Sequence, residues 1–224
     1  MTDSVACVIP ALDAEETLGA VAGRLRVVLP KAVLVVVDDG SADATASVAR
    51  ECCDVLVRFP SNRGKGAALR AGIAEALKRR ADVVLTIDAD GQHPPEAAPS
   101  LIAALARADI AIGTRSRDPR EMPIGRRMTN ALASAAVGAI IGRTVSDSQS
   151  GFRAIRRAVL EAVSAHGDRF EYETDFLIRA GRAGFRIEPV PIATLYGVPS
   201  HFRALRDSTR VVRTIWRHRG GAFG

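Results

Sequence analysis

Four short aliphatic runs, each followed by a helix-period pattern, decide what this chain can fold into. The first is Val5-Ala6-Cys7-Val8-Ile9, ended by Pro10, and Asp13 to Val28 follows with Leu18, Val21, Leu25 and Val28 on one helical face. The second, Ala32 to Val37, ends in Asp38-Asp39-Gly40-Ser41, and Ser41 or Asp43 caps a helix running to Arg50. The third, Val55-Leu56-Val57, leads through Asn62-Arg63-Gly64-Lys65-Gly66 into an Ala-rich helix reaching Arg79. The fourth, Val83 to Ile87, precedes a helix from Pro94 to Arg107, and Asp109 to Gly113 is a fifth strand. Strand-helix alternation with short connections predicts an α/β fold, a mostly parallel central sheet with helices on both faces.

Ligands of open α/β sheets sit beyond the carboxyl ends of the strands. The fourth run ends there in Asp88-Ala89-Asp90-Gly91-Gln92, which places two carboxylates and an amide at the sheet edge. Hard cations such as Mg²⁺ take oxygen ligands of this kind and share them with substrate phosphates. A polar strand-to-helix loop is the plainer reading of an isolated Asp-x-Asp. A carboxylate of the second strand end, Asp38 or Asp39, can accept hydrogen bonds from a nucleotide base or ribose. Together the two strand ends outline a nucleoside-diphosphate site without a phosphate-binding glycine loop. Asn62-Arg63-Gly64-Lys65-Gly66-Ala67 lacks the first glycine and the Ser/Thr of a Walker motif, and Gly64 to Leu69 lacks the third glycine of the dinucleotide fingerprint. Lys65, at a helix start, either faces a phosphate or base or is solvated.

At 224 residues and 47% apolar, the chain reads as a globular domain, with no apolar run near the ~20 residues of a membrane span. No secretory signal is expected at Met1-Thr2-Asp3-Ser4. Cys7, Cys52 and Cys53 have no zinc-like spacing and fit reduced thiols of a cytoplasmic protein. The net charge of +6 is local: six arginines against Asp207 between Arg203 and Arg219. The division expected is a catalytic domain over 1–200 and a basic amphipathic tail over 201–224.

After Gly113 the regular alternation stops. Thr114 to Gly125 reads as a loop carrying Arg115, Arg117 and Arg120; Arg126 to Ile141 as a helix; Val145 to Arg153 as a polar turn. Arg156 to Ala165 and Tyr172 to Ala183 read as helices, and Phe185 to Ile192, with Pro189 and Pro191, as an edge strand. His201 to Arg219 reads as a helix.

In order and spacing, Val8-Ile9-Pro10-Ala11-Leu12, Val37-Asp38-Asp39-Gly40-Ser41, Gly64-Lys65-Gly66, Asp88-Ala89-Asp90-Gly91-Gln92-His93-Pro94, Gly113-Thr114-Arg115 and Gln149-Ser150-Gly151-Phe152-Arg153 resemble the family-2 glycosyltransferases of the GT-A (nucleotide-diphospho-sugar transferase) fold. The resemblance covers nearly the whole chain and is greatest to the dolichyl-phosphate mannose synthase and polyprenyl-phosphate glycosyltransferase branch. It implies a donor pocket of Pro10, Ala11, Leu12, Asp39, Lys65, Asp88, Ala89 and Asp90, and a Mg²⁺ or Mn²⁺ ion on Asp88, Asp90 and Gln92. It further implies Arg115 facing the donor and acceptor phosphates, with Arg126, Asn130 and Arg153 on the acceptor-phosphate side. The chain departs from the pattern in two places. Asp13-Ala14-Glu15 stands where relatives often have Asn-Glu, which shifts the donor-side acid to Glu15. Thr194-Leu195-Tyr196-Gly197-Val198 lacks the flanking cations of the mannose synthases, with His201 or Arg203 the available substitutes.

The implied reaction moves a sugar, with inversion, from a UDP- or GDP-sugar to a lipid phosphate. A phosphate monoester, with a second pKa of about 6, attacks without a base; a sugar hydroxyl, the alternative acceptor, needs one, from Asp147, Glu171, Glu173 or Asp175. The arginines from Arg115 to Arg127 favour the phosphate. Phe202, Leu205, Val212, Ile215 and Trp216 make one apolar face of the tail, suited either to an anionic membrane surface, placing the protein peripherally on the cytoplasmic face, or to packing on the domain. A nucleic-acid partner is not expected, because only 4% of residues are aromatic and the ligand edge is acidic. A fold-mate that binds a nucleotide sugar without turning it over is the remaining reading. Base, sugar and oligomeric state are left open by the sequence.

Overall fold

The computed structural model describes residues 3–115, 124–193 and 212–218. In chain order the elements are β1 (Val5–Ala11), α1 (Leu18–Val28), β2 (Val33–Asp38), α2 (Thr45–Cys52), β3 (Val55–Arg58), α3 (Lys65–Lys78) and β4 (Val83–Thr86). Then follow a 3-10 turn (Pro95–Ala97), α4 (Ala98–Ala104), β5 (Ile110–Arg115), α5 (Ile124–Ile141), β6 (Arg153–Arg156), α6 (Arg157–Ala162), α7 (Glu171–Arg182) and β7 (Ile187–Ile192). Residues 212–218 are helical.

The seven strands form one sheet in the order β3-β2-β1-β4-β6-β5-β7. All neighbours are parallel except β6, which runs antiparallel between β4 and β5. β7, with its two prolines, is the edge strand expected. Alternation along β1 divides the core: Ala6 and Val8 belong to the cluster under α3, α5 and α7, while Cys7 and Ile9 belong to the one under α1 and α4. α3 lies close to the sheet because Gly72 has no side chain; a Cβ there would run into Val8 and Val37. Burial pushes the Cys7 thiol up to about 12, which makes it an inert core residue.

Four sequence readings change. β1 continues through Pro10 to Ala11; β4 pairs with it only as far as Val8, so at Pro10 the strand has β2 alone as a neighbour and a missing N–H is tolerated. α1 starts at Leu18 rather than Asp13, because residues 13–15 bond to the loop after β2. The 94–107 helix is a 3-10 turn and a short α4. The polar turn read over 145–153 and the helix read from Arg156 leave out β6, a central strand.

No helix among the described residues is long and apolar enough to cross a membrane. Helix 212–218 packs on α7: Thr214, Ile215 and His218 are buried, Ile215 within the core cluster, and the Arg182 guanidinium donates to the His218 carbonyl at 2.6 Å. Val212 and Trp216 face outward, so Ile215 and Trp216 do not share one face.

Candidate active site

Neighbouring strand ends bring the first acids together. β1 and β2 pair through Ala11 and Asp38, which sets Leu12 beside Asp39. The two following loops are tied reciprocally. Ser41 Oγ accepts the Asp13 N–H at 3.0 Å, and Asp13 Oδ1 accepts that of Ala42 at 2.9 Å. Thr45 Oγ1 accepts the Ala14 N–H at 2.7 Å, and Glu15 Oε2 accepts that of Ala44 at 2.7 Å. Glu15 is thus tied through Oε2 to the start of α2 and is exposed beside the end of β1. Pro10 and Leu12 are half-buried and Ala11 is buried, a shelf at the end of β1.

Asp39 is buried and accepts the N–H groups of Arg63, at 2.7 Å, and Gly64, at 2.8 Å. Burial raises its carboxyl above the usual range in spite of these bonds. Gly64 has φ +103, and α3 begins at the next residue. Lys65 then sends its ammonium to Asp88 Oδ1 at 2.7 Å and to Glu173 Oε2 at 3.1 Å. Burial alone would lower the Lys65 pKa; the two carboxylates more than offset it and hold the group raised and charged. Three consecutive residues, 63–65, thus join the carboxylates of two strand ends.

Asp88, Asp90 and Gln92 are partly exposed beyond β4, and Ala89 is buried between the carboxylates. Asp90 Oδ1 accepts the Gln92 N–H at 3.0 Å across Gly91, whose φ of +72 suits glycine. Gly151 lies over this group. A Cβ built on it would stand 2.6 Å and 2.7 Å from the Asp88 carboxylate oxygens and 2.8 Å from Lys65 Nζ. Thr86 Oγ1 donates to the Gly151 carbonyl at 2.8 Å and fixes that loop to β4.

On the other side, Asn130 of α5 stands 3.5 Å from Asp147 Oδ1, which also accepts the Gln149 N–H at 3.2 Å in an Asx-type turn. Ser134 Oγ accepts the Ser148 N–H at 3.0 Å. Arg153 is a correction. The residue is 2% exposed, and its guanidinium donates to the carbonyls of Ser150 (2.8 Å), Glu173 (3.0 Å) and Ser148 (3.0 Å). It clamps the 146–152 loop to α7 and does not present itself to an acceptor phosphate. Asp175 is likewise engaged, by the His166 N–H at 2.8 Å, Arg179 Nε at 2.7 Å and His218 Nε2 at 2.7 Å. Burial pushes its carboxyl up, and these donors more than reverse that, leaving it below the usual range. Glu171 accepts the Arg169 N–H of its own loop at 3.4 Å.

Arg115 ends β5 and Arg126 lies in the first turn of α5, but their side chains, and that of Arg127, lie outside the described residues. So do Arg117 and Arg120, the 194–201 segment, and Phe202, Arg203 and Leu205 of the tail. Glu173, as the partner of Lys65, and Gly151, as the residue over Asp88, were not anticipated. One signal was legible: a lysine in the first turn of a helix opposes the macrodipole and needs a compensating acid.

Residues 6–164 match the family described as Glycosyl transferase family 2. An undecaprenyl-phosphate mannosyltransferase of Micrococcus luteus is 35% identical over 84% of this chain and 82% of its own length. A UDP-N-acetylglucosamine–dolichyl-phosphate N-acetylglucosaminyltransferase of Methanococcus voltae is 30% identical over 73% of this chain and 74% of its own. The crystal structure of glucosyl-3-phosphoglycerate synthase from Mycobacterium tuberculosis, with Mn²⁺, UDP and phosphoglyceric acid, superposes with a TM-score of 0.80, covering 99% of this chain and 80% of that one at 22% identity. That likeness agrees with the GT-A fold expected. By matched span and by relatives, this chain belongs to glycosyl transferase family 2.

Proposed function

We propose that the chain transfers a sugar, with inversion, from a nucleoside-diphosphate sugar to a polyprenyl phosphate at the cytoplasmic face of a membrane. The observation that carries the acceptor is that two relatives at 30–35% identity differ in the sugar named and agree on a lipid phosphate. The donor side is supported by the 63–65 bridge between Asp39 and Asp88.

Asp39 would take the base or ribose; its oxygens accept one N–H each and have a second lone pair to offer. Pro10, Ala11, Leu12 and Ala89 would line the same pocket. The donor set of Asp88, Asp90 and Gln92, two carboxylates and an amide, is all hard oxygen and fits Mg²⁺ or Mn²⁺. Among the described residues no group of three His, Cys, Asp or Glu gathers as an alternative. A divalent ion held there supplies neutralisation of the charge on the departing diphosphate. Arg115, Arg126 and Asn130 would orient the acceptor phosphate, whose dianion attacks without giving up a proton. The engagement of Glu173 with Lys65, and of Asp175 with Arg179 and His218, supports a reaction that does not use either as a base. Asp147, beside Asn130, stays the acid available if a base is used.

The outer face of helix 212–218 carries Val212 and Trp216 beside the exposed Arg213 and Arg217, and α5 exposes Met128 and Leu132. These surfaces suit an anionic bilayer holding the acceptor. Flotation with anionic liposomes at low salt tests this part, and Trp216→Ala should reduce the bound fraction; no binding by the wild-type protein would remove it.

The acceptor is tested by offering GDP- and UDP-sugars with Mn²⁺ or Mg²⁺ to a polyprenyl phosphate and to the matching polyprenol. Transfer to the phosphate alone is expected. Equal transfer to the alcohol, or transfer to sugar hydroxyls instead, would overturn the reading in favour of a hydroxyl acceptor.

A further inference from the structure

We propose that Glu173 is a positioning residue that sets how strongly the Asp88 site attracts a divalent cation, acting through the Lys65 ammonium. The inference rests on the reading of Asp88 as a metal-side carboxylate. Lys65 occupies the first residue of α3, where the partial positive charge of the helix terminus disfavours a cation. Two carboxylates from other elements hold it there, Asp88 after β4 at 2.7 Å and Glu173 of α7 at 3.1 Å. The Phe170 ring centroid lies 5.5 Å from the ammonium. Glu173 is buried, and its backbone carbonyl accepts the Arg153 guanidinium, so its backbone is held from α7 and β6 together.

The consequence is one of charge. Two carboxylates share the one ammonium, and the buried Arg153 guanidinium, bonded to backbone carbonyls, lies within the field of both, so Lys65 is the mobile cation of the cluster and Arg153 the fixed one. A divalent cation arriving at Asp88 displaces Lys65 toward a second carboxylate already within reach. Without the Glu173 charge, the ammonium has Asp88 alone as partner, the pair is neutral, and a metal must compete for the same oxygens with no compensation for the lysine left behind. Gly151 confines this exchange, since even a methyl group over it would touch both the Asp88 oxygens and Lys65 Nζ.

The test is Mn²⁺ binding by electron paramagnetic resonance, alone and with UDP or GDP, independent of turnover. Glu173→Gln, which keeps shape and removes charge, should weaken Mn²⁺ binding about tenfold. In a Lys65→Met background the same substitution should matter less than about threefold, because no ammonium remains to redistribute. Unchanged affinity in Glu173→Gln, or an equal loss in both backgrounds, would overturn the proposal; the second result would mean that Glu173 acts on the ion directly. If Glu173→Gln does not fold, Glu173→Asp decides, since it keeps the charge and draws it back from Lys65: a weakening of Mn²⁺ binding that is absent in the Lys65→Met background supports the inference, and unchanged binding contradicts it. A wild-type protein that holds no Mn²⁺ under any of these conditions would instead remove the metal reading and this inference with it.

Discussion

β4 and β6 lie side by side in the sheet and reach the site by opposite routes. β4 is aliphatic, runs parallel to β1, and releases its carboxylates, Asp88 and Asp90, just past its carboxyl end. β6 runs antiparallel, begins with a buried arginine, and turns that charge inward to hold the loop covering Asp88. One strand releases charge toward the proposed donor site and the other uses charge to hold backbone. The lesson is that the chemical type of a residue near a site does not decide its role: a buried arginine whose guanidinium is spent on three backbone carbonyls is structural.

The contrast is broken most severely at Arg153. Arg153→Met leaves the Ser148, Ser150 and Glu173 carbonyls without their donor and should cost about 3–5 kcal/mol in denaturant unfolding. A loss under about 1 kcal/mol would return Arg153 to the list of ligand-facing groups. Gly151→Ala tests the same loop from the Asp88 side. The added methyl displaces a carboxylate and an ammonium, so turnover should fall about a hundredfold with a smaller change in melting temperature. Unchanged turnover would mean that the loop yields and does not define the site.

Much of the strand-end geometry is legible in the sequence because each of its parts is local. A strand, its terminal acids and the next helix are contiguous in sequence, as at Val37-Asp38-Asp39-Gly40-Ser41 and Ile87-Asp88-Ala89-Asp90, and burial on both faces follows from the unbroken aliphatic runs themselves. β6 was not legible. Arg153-Ala154-Ile155-Arg156 is four residues long with an arginine at each end, and burial of Arg153 is tolerable only because a folded-back loop supplies the Ser148 and Ser150 carbonyls and α7 supplies that of Glu173. Lys65 and Glu173 meet for the same kind of reason, from α3 and α7, far apart in the chain. The start of α1 was misplaced because Asp13 and Glu15 bond the 41–45 loop, a tertiary choice that overrides their fitness for a helix first turn.

A smaller effect sharpens the comparison at α7. The folded Asp175 carboxyl lies below its ordinary value, so its stabilisation is complete above about pH 4 and is lost as pH falls below that toward the folded value. The anisotropy of Trp216, the only tryptophan, should drop below about pH 4 ahead of global unfolding by circular dichroism. Asp175→Asn should loosen helix 212–218 at neutral pH by about 1 kcal/mol. Least of all should change at Arg24, whose pair with Glu96 is 40% and 53% exposed: Arg24→Ala should shift stability by under about 0.5 kcal/mol, against the several expected at Arg153.

The central claim is that the acids following β4 hold the ion on which sugar transfer depends. Transfer to a polyprenyl phosphate, measured against Mn²⁺ concentration for the wild-type protein and for Asp90→Ala, tests it most directly. The account predicts metal-dependent transfer that falls by about a thousandfold or more in the folded variant; Asp90→Ala protein turning over at the wild-type rate would contradict it.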